Sequence, residues 1–275
     1  MTAPTAADPV TAEPGGVAGD IGWFEWAPVR GVWSRELALY RRHWASTSFA
    51  ALVEPTIYLL AFGFGFGSLI GTAYGYDYRD FVATGVVATS VLFISAFGAM
   101  FGTFIRRTFQ HTYDAVLAAP VDVHELVTAE ASWLAAKAGV YGCAPMVVGI
   151  AFGLPLGPGM LLVPFVGFLT GLAFALFGIW VSAIMPSINS FDYIISGVLA
   201  PMFLVAGTFF PVDQLPPWAA GAARVNPLYH CVELVRDSVF GNLGWHDFAH
   251  VGVLLLFVAL MWSLAVWKMS ARLID

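Results

Sequence analysis

The sequence predicts an all-α membrane protein: six transmembrane helices, an N-terminal interfacial helix, and re-entrant helices between spans five and six. Three observations carry this. First, hydrophobic residues make up 59% of the 275 and charged residues 11%, where a soluble domain carries roughly 25% charged. Mean hydropathy is +0.78, more apolar surface than a soluble fold of this size could hide. Second, six runs have the length, about 20 mainly apolar residues, that crosses a bilayer as a helix. They lie at 50–70, 82–104, 134–154, 161–184, 191–210 and 251–269. Third, Lys and Arg are unevenly shared between the two sides that these spans define. Arg30, Arg35, Arg41, Arg42, Arg106, Arg107, Lys137, Lys268 and Arg272 fall on one side; Arg79, Arg224 and Arg236 fall on the other. The richer side is cytoplasmic by the positive-inside rule, so both termini are expected in the cytoplasm.

Residues 1–28 are rich in Ala, Thr, Pro and Gly and have no basic start followed by an apolar run. They read as a disordered cytoplasmic tail rather than a signal peptide, and residues 29–275 as the membrane domain. Within 29–46, Trp33, Leu37, Tyr40 and Trp44 recur at helical spacing, with Arg35, Arg41 and Arg42 off that stripe. A basic helix with aromatic anchors suits the membrane interface.

Two connectors carry local signals. In 105–133, the stretch from Thr112 to Ala119 favours a short helix that Pro120 stops, and Asp122 with Glu125 forms a capping box for a second. By residue type alone this loop suits a docking site for a soluble partner and a plain solvated connector equally. In 211–250, prolines break the apolar patches. Asn226 followed by Pro227 starts a helix, and Gly241 stops it. Leu228, Val232, Val235 and Val239 share its one apolar face, and its length falls short of a span.

Several chemistries are excluded. With 12 Lys and Arg and a net charge of −6, there is no nucleic-acid footprint. Cys143 and Cys231 make no disulfide framework. The two lysines, Lys137 and Lys268, sit in no GKS or GKT sequence, so no P-loop is present. No catalytic constellation stands out. His246-Asp-Phe-Ala-His250 resembles a zinc motif with its glutamate shortened; His230, Glu233 and Asp237 are the candidates to lie nearby, but no third ligand is evident. No metal is expected. Gly63 with Gly67, and Gly167 with Gly171, have the spacing of close helix approach. Of the four charges within the runs, Glu54 and Lys137 are expected to pair, with Asp192 as a further partner.

Longer patches then become legible together. Gly207-Thr-Phe-Phe-Pro-Val-Asp-Gln-Leu-Pro216, Asn226-Pro-Leu-Tyr-His230 and Val232-Glu-Leu-Val-Arg236 resemble the signature of ABC-2 type transporter permeases. The nodulation-type lipo-oligosaccharide exporter permeases are the nearest in pattern. Val86-Val-Ala-Thr-Ser90, Asp114-Ala-Val-Leu117, Trp133 with Lys137-Ala138, and Thr170-Gly-Leu-Ala-Phe-Ala175 add to it, over residues from about 30 to the end. The resemblance implies a permease subunit, not an enzyme, of an ATP-driven exporter in the plasma membrane. It implies two cytoplasmic ATPase subunits, a second permease copy (homodimer or related chain), and ATP and Mg on the ATPase only. Tyr113, Asp114, Val116, Leu117 and Pro120 then match the helix that docks on the ATPase. Phe62, Phe64, Phe66, Phe191, Tyr193, Phe203 and Phe209 become candidates to line the cleft, since aromatic faces suit sugars and acyl chains. The cargo class implied is an amphipathic glycolipid or lipo-oligosaccharide. A drug or hydrophobic natural product is the near alternative; an ATP-independent channel or secondary transporter is the distant one.

Overall fold

A computed structural model describes residues 25–119 and 121–273. Among the described residues, five helical stretches are long and apolar enough to cross a membrane: Trp26–Gly67, Tyr78–Thr108, Val123–Ala151, Pro158–Ile184 and Asp247–Leu273. A sixth, Ile188–Leu204, is apolar but shorter. Its chain leaves the helix at Val205 and turns at Gly207, whose φ is +84°, so the expected fifth span at 191–210 loses its last turn and a half.

The first long helix, α1 (Trp26–Tyr58), continues through a π turn (Leu59–Phe64) into α2 (Gly65–Ile70). It begins before the expected tail boundary at residue 28. It also has no break between the expected interfacial segment and the first span, because no Gly or Pro falls between Gly31 and Pro55. The rest of the expected tail, residues 1–24, lies outside the described residues. A two-stranded antiparallel hairpin, β1 (Thr72–Ala73) and β2 (Tyr76–Asp77), leads into α3 (Tyr78–Leu92). A second π turn (Phe93–Phe97) joins α3 to α4 (Gly98–Thr108).

Helix α5 (Thr112–Leu117) follows a sharp turn at His111, held at φ +48°. Helix α6 (Val123–Tyr141) starts with the expected capping box, in which Glu125 Oε2 accepts from the Asp122 N–H at 3.1 Å. It therefore begins well inside the stretch read as loop. Helix α7 (Ala144–Ala151) extends it past a break at Gly142 and Cys143. Helix α8 (Val163–Ile184) is 22 residues without a charge, a rise of about 33 Å. It ends at Met185, which is extended (ψ 134°) because Pro186 follows.

Helix α8 is the central post of the bundle, packed by α4, α6 and α13 (Asp247–Leu273). The expected glycine spacing works here. A Cβ on Gly171 would stand 2.7 Å from the Ala138 Cβ, and one on Gly167 would stand 3.2 Å from the Gly139 Cα. Only bare backbone lets α6 and α8 approach so closely.

The shorter apolar stretch comprises α9 (Phe191–Ile194), a third π turn (Ile195–Leu199) and α10 (Ala200–Leu204). Between it and α13 lie α11 (Pro217–Val225) and α12 (Pro227–Phe240). Helix α12 has the expected ends. Asn226 Oδ1 accepts from the Leu228 N–H at 2.9 Å, and Gly241 terminates the helix at φ +76°. Leu228, Val232, Val235 and Val239 are all buried. Arg236 on the same helix lies 4.0 Å from the Phe81 ring centroid and donates to the Gly207 carbonyl at 3.0 Å, tying α12 to α3 and to the turn. Cys143 and Cys231 are free thiols.

Candidate functional site

At the end of the bundle that carries α5, four elements meet on one buried carboxylate. Glu130 of α6 is 3% exposed. Arg106 of α4 reaches its Oε1 with Nε at 3.1 Å, and Arg35 of α1 reaches the same oxygen with Nη2 at 3.3 Å. The Tyr113 hydroxyl of α5 donates to Oε2. A second carboxylate, Glu36, closes the ring: Arg35 Nη2 lies at 2.8 Å and Arg106 Nη1 at 3.3 Å.

Two guanidinium groups face two carboxylates, so the network is neutral. That is the condition under which charges tolerate low dielectric. Burial and the adjacent Glu130 push the Tyr113 phenol far above its ordinary value, so it stays a donor. Sequence reasoning placed Tyr113 and Arg35 among functional residues but missed Glu36, Arg106 and Glu130. No spacing rule links residues on different helices; the available signal was three charges lying outside the apolar runs, Arg106 and Glu130 within four residues of a run.

Helix α5 thus presents one face inward and one outward. Tyr113 is buried, Val116 and Leu117 are partly buried against the core, and Asp114 and Ala115 are exposed. Pro120 lies outside the described residues. Along α1, Trp33 donates from Nε1 to Ser132 Oγ at 3.0 Å and meets Trp133 edge-on at 5.4 Å. Tyr40 shares a hydrogen bond with Tyr141. So Trp33 and Tyr40 face α6, while Leu37 and Trp44 are exposed.

The expected Glu54–Lys137 pair lies outside the described residues, because the Glu54 side chain does. Lys137 and Asp192 make no ion pair with a described residue. Lys137 borders a groove of about 280 Å³ with Thr47, Ala51, Phe93, Phe97 and Tyr141.

Phe93 and Phe97 also belong to a continuous run of aromatic rings. From the β-hairpin end, Tyr58 stacks on Phe62 at 6.3 Å, and Phe66 on Phe62 at 5.8 Å. Phe62 meets Phe209 at 4.3 Å, Phe209 meets Phe203 at 5.4 Å, and Phe203 meets Phe93 at 5.8 Å. The run descends through Phe97 and Phe101 to Phe191 and Phe104, at 5.1, 6.2, 5.0 and 5.5 Å. It passes the whole height of the bundle.

The run brings together five of the seven expected cleft aromatics. Tyr193 is 79% exposed and stands apart; the Phe64 side chain lies outside the described residues. The missed members, Phe93, Phe97, Phe101 and Phe104, follow helical spacing on one span, a signal that was legible. All three π turns sit in the helices that bear the rings, at Leu59–Phe64, Phe93–Phe97 and Ile195–Leu199. Such turns loosen a helix locally and concentrate at functional sites.

At the opposite end, the two histidines of the zinc-like motif part company. His246 Nε2 lies 3.0 Å from Asp237 Oδ2, whereas His250 Nδ1 lies 2.7 Å from His230 Nδ1.

Comparison with known proteins gives consistent results. Residues 29–240 match the family model described as ABC-2 type transporter. The chain is 33% identical over 267 residues to Nodulation protein J of Rhizobium leguminosarum bv. trifolii, covering 97% of this chain and 98% of that one. It is 32% identical over 242 residues to Nodulation protein J of Rhizobium meliloti strain 1021, covering 88% and 92%. It is 25% identical over 250 residues to the inner membrane transport permease YadH of Escherichia coli K12, covering 90% and 96%.

Proposed function

Because this chain belongs to the ABC-2 type transporter family and is a multi-pass membrane permease, we propose that it exports an amphipathic glycolipid or lipo-oligosaccharide with ATP hydrolysed by a partner. Two copies of a cytoplasmic ATPase subunit bind the α5 face, and a second permease copy completes the cleft. ATP and Mg²⁺ belong to the ATPase subunit. Both termini face the cytoplasm of a plasma membrane. The similarity to proteins named for nodulation supports the cargo class, and the similarity to a protein named as an inner membrane permease supports the location.

The observation that carries this reading is the Tyr113–Glu130 joint. A six-residue surface helix has little rigidity of its own, yet its one buried ring is fixed to α6, and through Glu130 to α1 and α4. Force on the exposed face of α5 therefore reaches three spans at once, as in rigid-body switching. Two of those helices run directly into π turns and then into the aromatic run. The rings offer flat faces for sugar and apolar surface for acyl chains along one path.

Gentle-detergent purification of the tagged chain from its native host tests the machine. A stoichiometric soluble protein with a Walker motif is expected; a clean chain at low salt would return the ATP-independent channel to first place. Proteoliposomes of the complex test the cargo. ATP-driven movement of a labelled lipo-oligosaccharide is expected; movement of an apolar drug alone would transfer the reading to hydrophobic natural products.

A further inference from the structure

Asp237, His246 and Asp247 bring three ligand atoms within 4.8 Å of one another, at the end of the bundle remote from α5. The chain forces this meeting. Asp237 is in the last turn of α12, Asp247 opens α13, and His246 is the residue before it. Gly241 ends α12 abruptly, so the two acidic helix ends are joined by a tight turn. Asn242 within that turn donates to Asp237 through its backbone at 2.9 Å and to the Tyr76 hydroxyl oxygen at 2.5 Å through its side chain.

The distances suit a shared cation. His246 Nε2 lies 3.0 Å from Asp237 Oδ2 and 3.8 Å from Asp247 Oδ1. Two ligands each about 2.1 Å from one zinc ion at tetrahedral angles stand about 3.4 Å apart, a value between those two. Asp247 supplies an independent sign. It is 7% exposed, and its Oδ2 is anchored by the Gly244 N–H at 2.7 Å. Its Oδ1 is buried and accepts no hydrogen bond from the described residues; its nearest cationic partner, His246 Nε2, is 3.8 Å away. A buried carboxylate oxygen without a donor is costly, and more so beside a second carboxylate. A cation held between the two removes both costs. The His246 ring is 58% exposed, leaving coordination positions open to water. His250 is not one of the three; its Nδ1 lies 2.7 Å from His230 Nδ1.

We propose that Asp237, His246 and Asp247 form a binding site for a divalent transition-metal ion of the zinc class, clamping the end of α12 to the start of α13. One imidazole with two carboxylates suits zinc. Calcium and magnesium prefer all-oxygen sites of six or more ligands. Binding replaces the Nε2 proton of His246, which leaves to solvent, with a metal–nitrogen bond; no oxidation is involved. The site is independent of the transport reading.

The test uses the full chain with its copurified partners, its affinity tag removed, stripped with chelator and then exposed to Zn²⁺. Metal content after desalting and the thermal midpoint with and without Zn²⁺ are read. Stoichiometric retained zinc and a raised midpoint are expected. His246→Gln, at an exposed side chain, is expected to fold normally and to lose about tenfold or more in zinc affinity; Asp247→Asn is expected to lose it as well. Absence of retained zinc in the unsubstituted chain would overturn the proposal. So would zinc binding that His246→Gln leaves unchanged, or stabilisation by Ca²⁺ in place of Zn²⁺.

Discussion

Tyr113 on α5 donates its hydroxyl proton to Glu130 on α6, and this single bond joins a surface helix to a buried ring of charges. The bond is worth more than its own energy. Glu130 already accepts from Arg35 and is ion-paired with Arg106, so Tyr113 adds a third contact to a group whose members are each buried or half-buried. A buried network of charges is stiff, because displacing one member leaves another uncompensated in a low dielectric. Stiffness is what a coupling element requires.

Tyr113→Phe removes that donor and keeps the ring. The Thr103 hydroxyl, at 3.5 Å, is then the remaining donor to Glu130 Oε2, so the expected loss is about 1 kcal/mol, that of one hydrogen bond, seen as a lower thermal midpoint in detergent. ATP hydrolysis by the assembled complex is expected to persist, with less cargo moved per ATP. An unchanged ratio would show that force does not pass through this joint. Glu130→Gln leaves two guanidinium groups to share one carboxylate, Glu36, and is expected to cost about 3–5 kcal/mol.

Asp114 tests the outer face of the same helix. Its side chain is 65% exposed and pairs with the equally exposed His111 at 3.0 Å, so Asp114→Ala is expected to shift stability by under about 0.5 kcal/mol. Copurification of the ATPase subunit is expected to weaken. Leu117 is less suited to this test, because it packs partly against the core. Full ATPase recovery with Asp114→Ala, together with Ala115→Glu, would place docking elsewhere.

These two faces show what the sequence could and could not reveal. The ends of α12 were legible because capping is local: Asn226, Pro227 and Gly241 act within a turn of themselves. The start of α6 was legible for the same reason, through Asp122 and Glu125. The unbroken α1 was not, since the change from charged to apolar residues after Arg42 mimics a boundary that the backbone does not make. The ion network was hidden for a different reason. Weighing only charges inside apolar runs singles out Glu54, Lys137 and Asp192, whereas Arg35, Glu36, Arg106 and Glu130 lie outside those runs and meet only in three dimensions. The aromatic run was half legible. Phe93, Phe97, Phe101 and Phe104 share one helix face by spacing, but their link to Phe203 and Phe209 depends on how α10 folds back.

Gly85→Ala probes that return. A Cβ there would stand 2.6 Å from the Thr208 carbonyl oxygen and 2.7 Å from its Cα. Both are backbone atoms of a fully buried residue, so neither can swing aside as a side-chain tip would. Overpacking of this kind costs about 1–3 kcal/mol. A lowered thermal midpoint is expected; an unchanged one would mean that the turn after α10 is not held against α3.

Acidification is expected to loosen the α12–α13 contact through His230. Its Nδ1 faces His250, its Nε2 faces the Arg224 carbonyl at 2.9 Å, and Tyr229 lies beside it. Burial, then the neighbouring His250, holds the His230 imidazole below its ordinary 6.5. The unfolded chain therefore takes up the proton first. The contribution to stability is fully present above that ordinary value and is lost as pH falls through the lowered folded one. The midpoint is expected to fall between about pH 7 and pH 5, and His230→Gln is expected to flatten the fall. An equal fall in both proteins would assign the effect to other groups.

Phe203 is the keystone of the aromatic run, joining Phe93 at 5.8 Å to Phe209 at 5.4 Å. Its ring is only partly buried, so Phe203→Ala is expected to cost less than the roughly 3–5 kcal/mol of a fully buried phenylalanine. If the rings act only as packing, Phe203→Leu, which keeps most of the volume, should transport as well as the unsubstituted chain. If they act as faces on which cargo slides, Phe203→Leu should be impaired nearly as much as Phe203→Ala, and Phe203→Tyr should restore transport. We expect the second pattern, measured as cargo moved per ATP in proteoliposomes with ATPase content matched. Wild-type transport by Phe203→Leu would reduce the aromatic run to a structural seam between α3, α10 and the turn that follows.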